Sequence, residues 1–230
     1  MRVPGKNIRP LAGHPLLAHS IAAARESGLF DAIVVSTDSE EIAAVARRHG
    51  AEVPGLRPAA MATSTASDID WVEHELARLE DFEAFSILRP TSPFRRGATI
   101  RRAWERLNAV PDADSVRAVR PVREHPGKMW RIEGELMVPL LEQLPGEVPT
   151  HSRQMAALPP VHVQDSSLEI AWTRIVADRE IAGRRVMPFL TDAAEGFSID
   201  YPDDWAEAER MAAEDPSLLA LSDAPGSVTQ

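Results

Sequence analysis

Residues 32–53 read Ala32-Ile33-Val34-Val35-Ser36-Thr37-Asp38-Ser39-Glu40-Glu41-Ile42-Ala43-Ala44-Val45-Ala46-Arg47-Arg48-His49-Gly50-Ala51-Glu52-Val53. Ala32 to Ser36 is a short apolar run rich in β-branched residues, which predicts a buried strand. Asp38 or Ser39 then caps a helix. Glu40 and Glu41 sit in its first turn, where the helix dipole favours negative charge. Ile42, Val45, Ala46 and His49 recur on one face, and Gly50 is a stop signal. Ala51 to Val53 is the next short strand. Strand, capped helix and strand in immediate succession are the unit of an α/β fold.

The same rhythm extends in both directions. Upstream, Leu16, Leu17, Ile21 and Ala24 share a helix face after Pro15, and Gly28 ends that helix. Downstream, Ile69, Val72, Leu76 and Leu79 mark a helix with Ser67 as N-cap. Phe85 to Leu88 is a strand, and Ile100, Ala103, Trp104 and Leu107 mark a helix. Ser115 to Val119 is a further strand. From Lys128 the alternation breaks. Met129 to Ile132 and Leu136 to Val138 flank Glu133-Gly134-Glu135 as a hairpin, and a Pro-rich stretch follows. Alternation resumes with a strand over Leu168 to Trp172, a helix near Arg174 to Ala182 and a strand over Val186 to Leu190. A last helix opens at Pro202 and runs through Ala213. The pattern predicts one domain over 1–214, with an inserted arm at about 128–163 and a disordered tail at 215–230.

Composition narrows the function classes. The chain has 230 residues, 44% hydrophobic and 26% charged, as a globular domain requires. Its formal charge of -10 argues against general nucleic-acid binding, which needs a basic surface. An anionic ligand must therefore meet a local basic pocket. The absence of Cys excludes disulfides and thiolate chemistry. No apolar run is long enough to span a membrane and no signal-peptide pattern opens the chain, so a cytoplasmic location is expected. The seven His show no metal-ligand spacing, and the five Trp are dispersed as core residues are.

Four polar segments follow expected strand ends, where open α/β sheets bind their ligands. Pro4-Gly5-Lys6-Asn7 is a turn that offers a point charge to a phosphate, or a solvated turn. Leu56-Arg57-Pro58, with Thr63-Ser64-Thr65-Ala66-Ser67-Asp68, combines a guanidinium and a hydroxyl-rich loop entering a helix. It is an anion cradle or an N-capping loop. Leu88-Arg89-Pro90-Thr91-Ser92-Pro93-Phe94-Arg95 is a loop stiffened by two prolines. Ser198-Ile199-Asp200-Tyr201-Pro202-Asp203-Asp204 places carboxylates where Mg²⁺ could bind. Helix capping explains Asp203 and Asp204 better, which leaves Asp200 as the ligand candidate.

In order and spacing, these segments resemble the acylneuraminate cytidylyltransferases, the CMP-sialic acid synthetases. Further matching segments are Val35-Ser36-Thr37-Asp38, His49-Gly50-Ala51-Glu52-Val53, His125-Pro126-Gly127-Lys128 and Ser198-Ile199-Asp200. The resemblance implies a Rossmann-like three-layer nucleotidyltransferase fold of the glycosyltransferase-A-like kind. Its sheet would be mostly parallel and its inserted arm would form a homodimer. It implies an enzyme that activates a nonulosonic keto-sugar acid with CTP and Mg²⁺, giving a CMP-sugar and pyrophosphate for surface glycan synthesis. Lys6 and Arg153 would be catalytic. Lys6, Asn7, Arg57, Ala66, Ser67 and Asp68 would hold the nucleotide. Arg89, Thr91, Lys128, Gln154 and Asp165 would face the sugar acid, and Asp200 would hold the metal.

The sequence departs from the family pattern in three places. The opening strand and its glycine-rich bend are not found before Pro4, which implies truncation at the N-terminus and weak or no activity. Asp165 stands where the family has Asn, and Tyr201-Pro202 replaces part of an Ile-Asp-Ile-Asp segment. Two other readings therefore stand beside the first. One is a catalytically impaired nucleotide-binding relative. The other is a cytidylyltransferase for another sugar acid such as 3-deoxy-manno-octulosonate.

Overall fold

The computed structural model describes residues 3–79 and 81–222. A small antiparallel pair, β1 (Pro10–Leu11) and β2 (His14–Pro15), leads into α1 (Leu16–Ser27). Gly28 ends α1 at φ 66°, a left-handed conformation that glycine adopts without strain. Helix α2 (Glu40–Arg48) is capped by Ser39, not Asp38: the Ser39 hydroxyl accepts the Ile42 N–H at 3.3 Å. His49 is the C-cap of α2 and not part of its inner face. Helix α3 (Asp68–Leu76) starts after Ser67 and stops short of Leu79.

The main sheet contains β3 (Ala84–Ile87), β4 (Ser115–Pro121), β7 (His162–Trp172) and β8 (Val186–Leu190), in the order β3-β7-β4-β8. Helix α4 (Gly97–Asn108) joins β3 to β4 and lays Ile100, Ala103 and Leu107 on the sheet residues Val116, Ala118, Leu168, Ile170 and Phe189. The α/β architecture is as expected, but the four-stranded sheet is mixed. Only β4 and β8 run parallel, and β7 is antiparallel to both β3 and β4. The reversal follows from the arm, which returns the chain to the end of the sheet where β4 leaves it, so that His162 enters beside Pro121. Between Arg117 and Val119 the partner on β7 jumps from Glu169 to Gln164, a bulge that swings Asp165 and Ser166 out of the ladder, with Ser166 at φ 62°.

The arm carries the hairpin β5 (Trp130–Glu133) and β6 (Leu136–Pro139), turned at Gly134, φ 65°. The expected helix near Arg174 to Ala182 is a 3-10 segment, Thr173–Asp178, ended by Arg179 in the left-handed conformation. Helix α5 (Pro202–Glu214) buries Trp205 and Ala208 against Val3, Leu11, Phe94 and Ile199. Of the tail expected to be disordered, Pro216–Leu218 forms a 3-10 turn and Leu219 is buried in the same cluster; residues 223–230 lie outside the described residues. No helix among the described residues is long and apolar enough to cross a membrane.

Among the described residues, the predicted strand at Ala32–Ser36 pairs on one side alone. Val35 N–H donates to Glu52 O at 2.9 Å and Glu52 N–H donates to Ile33 O at 2.7 Å, a single parallel bridge. Its other edge faces a gap whose far wall is β3. Leu17, Ile21 and Ala24 of α1 line that gap from one side, and Trp71, Val72 and Leu76 of α3 line it from the other. Backbone without a ladder partner opens to solvent more readily. Amide hydrogen exchange should therefore be fast at Val34 and Ser36 and slowest at Leu168–Ala171 in the middle of β7. Equal protection at the two places would contradict this arrangement.

Candidate functional site

The chain turns that leave β3 and β8, the end of β4 and the start of β7 lie at one edge of the sheet. They meet there around a cavity of about 1290 Å³. Its lining includes Arg89 and Thr91 after β3, Arg120, Pro121 and Arg123 at the end of β4, Gln164 to Ser166 on β7, and Thr191 and Asp192 after β8. Lys6, Asn7, Arg57, Trp71 and Asp200 complete it. The expected convergence of strand-end residues thus holds for Lys6, Asn7, Arg57, Arg89, Thr91, Asp165 and Asp200.

One wall is a relay of polar groups. Arg57 donates from Nε to Ser36 Oγ at 3.0 Å and from Nη2 to Ser36 O at 2.7 Å, and its guanidinium lies 5.0 Å from the centre of the Trp71 ring. Ser36 Oγ donates in turn to Glu75 Oε1 at 2.6 Å. Burial holds the Arg57 guanidinium below its ordinary pKa, against the opposing pull of Glu75, Asp38 and Asp68. Asp68 accepts from Trp71 Nε1 at 2.9 Å and from Arg89 Nη2 at 2.5 Å. Burial works to raise the Asp68 carboxyl, but the bonds from Arg89 and Trp71 prevail and hold it below its ordinary value.

Arg89 is clasped on both sides. Beyond Asp68 it meets the buried Glu169 at 3.5 Å, and Arg117 closes on the same carboxylate at 3.0 Å. Burial alone would lower the Arg89 guanidinium, but the two carboxylates raise it above its ordinary value. Its charge is therefore largely neutralised inside the protein.

Deeper in the same wall, Arg95 has no exposed surface. It donates to Ser20 Oγ at 2.8 Å, to Arg89 O at 3.4 Å and to Ser167 O. Burial pulls its pKa down to about 10, and the nearby Asp165 opposes the fall. Both Asp165 oxygens are engaged: Oδ1 accepts Ser167 N–H at 2.9 Å and Oδ2 accepts Thr191 Oγ1–H at 2.6 Å. A Cβ at position 196 would lie 2.6 Å from Asp165 Oδ2, so glycine is needed there. The carboxylate expected to confront a sugar acid is thus satisfied internally. Glu195 anchors the next loop, accepting from both Arg102 guanidinium nitrogens at 2.9 Å and from Thr99 Oγ1 at 2.6 Å.

At the opposite wall Gly5, φ 60°, turns the chain so that Lys6 reaches Ile199 O at 2.6 Å and Asp200 Oδ1 at 3.0 Å. Ser198 Oγ donates to Asp200 Oδ2 at 3.3 Å. No group of three or more acidic or His side chains that could hold a metal occurs among the described residues. A single half-exposed carboxylate beside a cavity still suits Mg²⁺, which takes one or two protein carboxylates and completes its shell with phosphate oxygens and water. Asp204 caps α5, accepting Tyr201 N–H at 2.7 Å, as its spacing predicts.

The other expected site residues lie elsewhere. Ala66 and Ser67 sit in the loop before α3 and do not line the cavity, and Asp68 acts on it through Arg89. Lys128, Arg153 and Gln154 belong to the arm. Lys128 Nζ donates to His151 O at 2.8 Å and to Arg153 O, and Arg153 pairs with Glu147 at 2.7 Å. Within one chain these three are not part of the cavity lining, because the arm carries them away from the sheet edge. Sequence reasoning missed Glu169, Arg120, Arg123 and Glu195, and gave Arg95 no role of its own. Only Glu169 left a usable signal, a carboxylate between Leu168 and Ile170 in an apolar run, which must find cations when buried.

A family model described as cytidylyltransferase matches residues 1–127. CMP-N,N'-diacetyllegionaminic acid synthase of Legionella pneumophila is 37% identical over 218 residues, 91% of this chain and 90% of that protein. N-acylneuraminate cytidylyltransferase of Escherichia coli O18:K1:H7 is 43% identical over 98 residues, 43% of this chain and 23% of that protein. Among solved structures, a CMP:2-keto-3-deoxy-manno-octonic acid synthetase complexed with CTP superposes with a TM-score of 0.67 at 12% identity. It covers 93% of this chain and 94% of its own.

Two outcomes test the electrostatic scaffold. Arg95→Met should cost about 3 kcal/mol or more in denaturant unfolding, because it leaves the buried Ser167 O without its donor and the buried Asp165 carboxylate without the opposing charge. A cost under about 1 kcal/mol would contradict that role. For Glu195, burial works to raise the carboxyl, but the bonds from Arg102 and Thr99 hold its folded pKa below the ordinary value. Its contribution is present above the unfolded pKa, about 4.3, and is lost as pH falls through the lower folded value. Glu195→Gln should lose less stability than the wild type on acidification through that window. Parallel acid limbs would refute the assignment.

Proposed function

Because the chain belongs to the cytidylyltransferase family, we propose that it activates a nonulosonic, sialic-acid-like keto-sugar acid with CTP for surface glycan synthesis. The observation that carries this reading is the near end-to-end similarity to the legionaminic acid enzyme. The likeness to the octonic acid synthetase, at 12% identity, supports the fold and gives no preference for that sugar. In the proposed reaction the anomeric 2-hydroxyl oxygen bonds to the α-phosphorus as the bond from that phosphorus to the departing pyrophosphate breaks. The hydroxyl proton passes to solvent.

The protein's work is placement and charge balance. Arg57 and Trp71, the latter fixed by Asp68 at the start of α3, hold the nucleoside side. Lys6 and Asn7 face the triphosphate, and Lys6 exchanges its contact with Asp200 for phosphate oxygens. Mg²⁺ held by Asp200 would offset the charge that builds on the phosphates. Arg89, fixed by Asp68 and Glu169, and Thr91 face the sugar acid. The reaction draws on CTP, which puts it in the cytoplasm.

The reading includes a homodimer built on the arm. Ile132, Leu136, Leu144 and Val148 there are 80%, 74%, 63% and 61% exposed, and Trp130 is partly exposed beside them. Apolar side chains collected on an extended arm favour burial against a second copy. Such an exchange would bring Lys128, Arg153 and Gln154 to the partner's cavity, as their sequence context suggests.

Incubating the chain with CTP, Mg²⁺ and a panel of legionaminic, pseudaminic and neuraminic acids should release pyrophosphate with at least one acid. Calorimetric CTP binding with no release across the panel would favour the non-catalytic relative instead. In sedimentation, the chain should run as a dimer and Ile132→Asp/Leu136→Asp as a monomer. A monomeric wild type would refute the arm's role.

A further inference from the structure

The cations around the cavity are not equivalent. Lys6 is paired with Asp200, and Arg89 is clasped by Asp68 and Glu169. Arg57 is bonded to Ser36 and stacked by Trp71. Arg120 and Arg123 are different. Both line the cavity and both are exposed, and neither side chain makes an ion pair or a hydrogen bond among the described residues. In a chain of formal charge -10, two unpaired guanidinium groups at the end of one strand are conspicuous.

Their place is fixed by the sheet. Arg120 is the penultimate residue of β4, opposite Val163 on β7, and Pro121 pairs with His162 just before Arg123. The bulge that follows on β7 brings Gln164, Asp165 and Ser166 into the same stretch of wall. Asp165 and Asp192 also line the cavity, but Asp165 is engaged by Ser167 and Thr191, and Asp192 Oδ1 accepts Glu195 N–H at 2.7 Å. Strand β4 lies two positions from β3 across the sheet, roughly 10 Å at ordinary strand spacing, and Arg57 and Trp71 lie beyond β3. The nucleoside and the paired cation Lys6 therefore leave this end of the cavity to the second substrate.

We infer that Arg120 and Arg123 form the subsite that binds the carboxylate of the sugar acid, a role resting on the proposed cytidylyl transfer. A guanidinium presents parallel N–H donors that match a carboxylate, and it gains most where no protein acid has to be displaced first. Arg89, already neutralised by two carboxylates, is less able to supply that charge.

The test is a kinetic comparison of the wild type with Arg120→Ala/Arg123→Ala and with Arg120→Lys/Arg123→Lys, using pyrophosphate release at varied CTP and varied sugar acid. The alanine pair should raise KM for the acid at least tenfold and leave KM for CTP within about twofold. The lysine pair should recover part of the loss. The methyl ester of the acid should be a poor ligand for the wild type and should no longer be discriminated by the alanine pair. An unchanged KM for the acid, or a rise confined to CTP, would overturn the inference. If the wild type releases no pyrophosphate, the transfer reading fails separately. Calorimetric binding of the acid to wild type and alanine pair then decides the subsite: equal affinity, or no binding to either, overturns it.

Discussion

One buried cation organises this molecule. Arg95 leaves the loop after β3, donates to that loop through Arg89 O, to β7 through Ser167 O and to α1 through Ser20. A guanidinium wholly removed from water is costly unless its donors and its charge are met. The bulge in β7 meets the charge by turning Asp165 inward, and Thr191 and Gly196 close over that carboxylate. The loop after β3, the middle of β7 and the loop after β8 are thus fixed to one another by a single electrostatic centre, and all three line the cavity.

From that centre the wall of the cavity is assembled outward. Arg89 is held at its carbonyl by Arg95 and at its side chain by Asp68 and Glu169, so its guanidinium has little freedom. Asp68 in turn opens α3 and accepts from Trp71, the ring on which Arg57 rests. A site made this way is preorganised: its polar groups are aimed by the fold before a substrate arrives. The same construction separates cations with structural duties from those still available to a ligand.

Much of this was legible in the sequence for physical reasons. The Ser39 cap, the Gly28 stop and the helix faces are local, set by residues within a turn or two of each other. The strand-end residues Lys6, Arg57, Arg89 and Asp200 were found because open α/β sheets gather their loops at one edge. The reversed direction of β7 was not legible, since it depends on how an arm of some 35 residues returns the chain. Nor was the strand at Ala32–Ser36 fully realised: it keeps a single bridge, Val34 to Glu52, and its second edge faces the cavity. Lys128, Arg153 and Gln154 were misplaced within the single chain because sequence order does not say which way an arm points. The Arg95, Glu169 and Glu195 pairings link residues far apart in sequence, and no spacing rule announces them.

The central claim is that the cavity at this sheet edge is a nucleotide site with a separate acid-binding end. A crystal structure of the chain soaked with CTP and Mg²⁺ tests it most directly. The account predicts density for the nucleoside beside Arg57 and Trp71 and for the phosphates at Lys6 and Asp200, with Arg120 and Arg123 left uncovered. Phosphate density on Arg120 and Arg123, or a nucleotide bound outside the cavity, would contradict it.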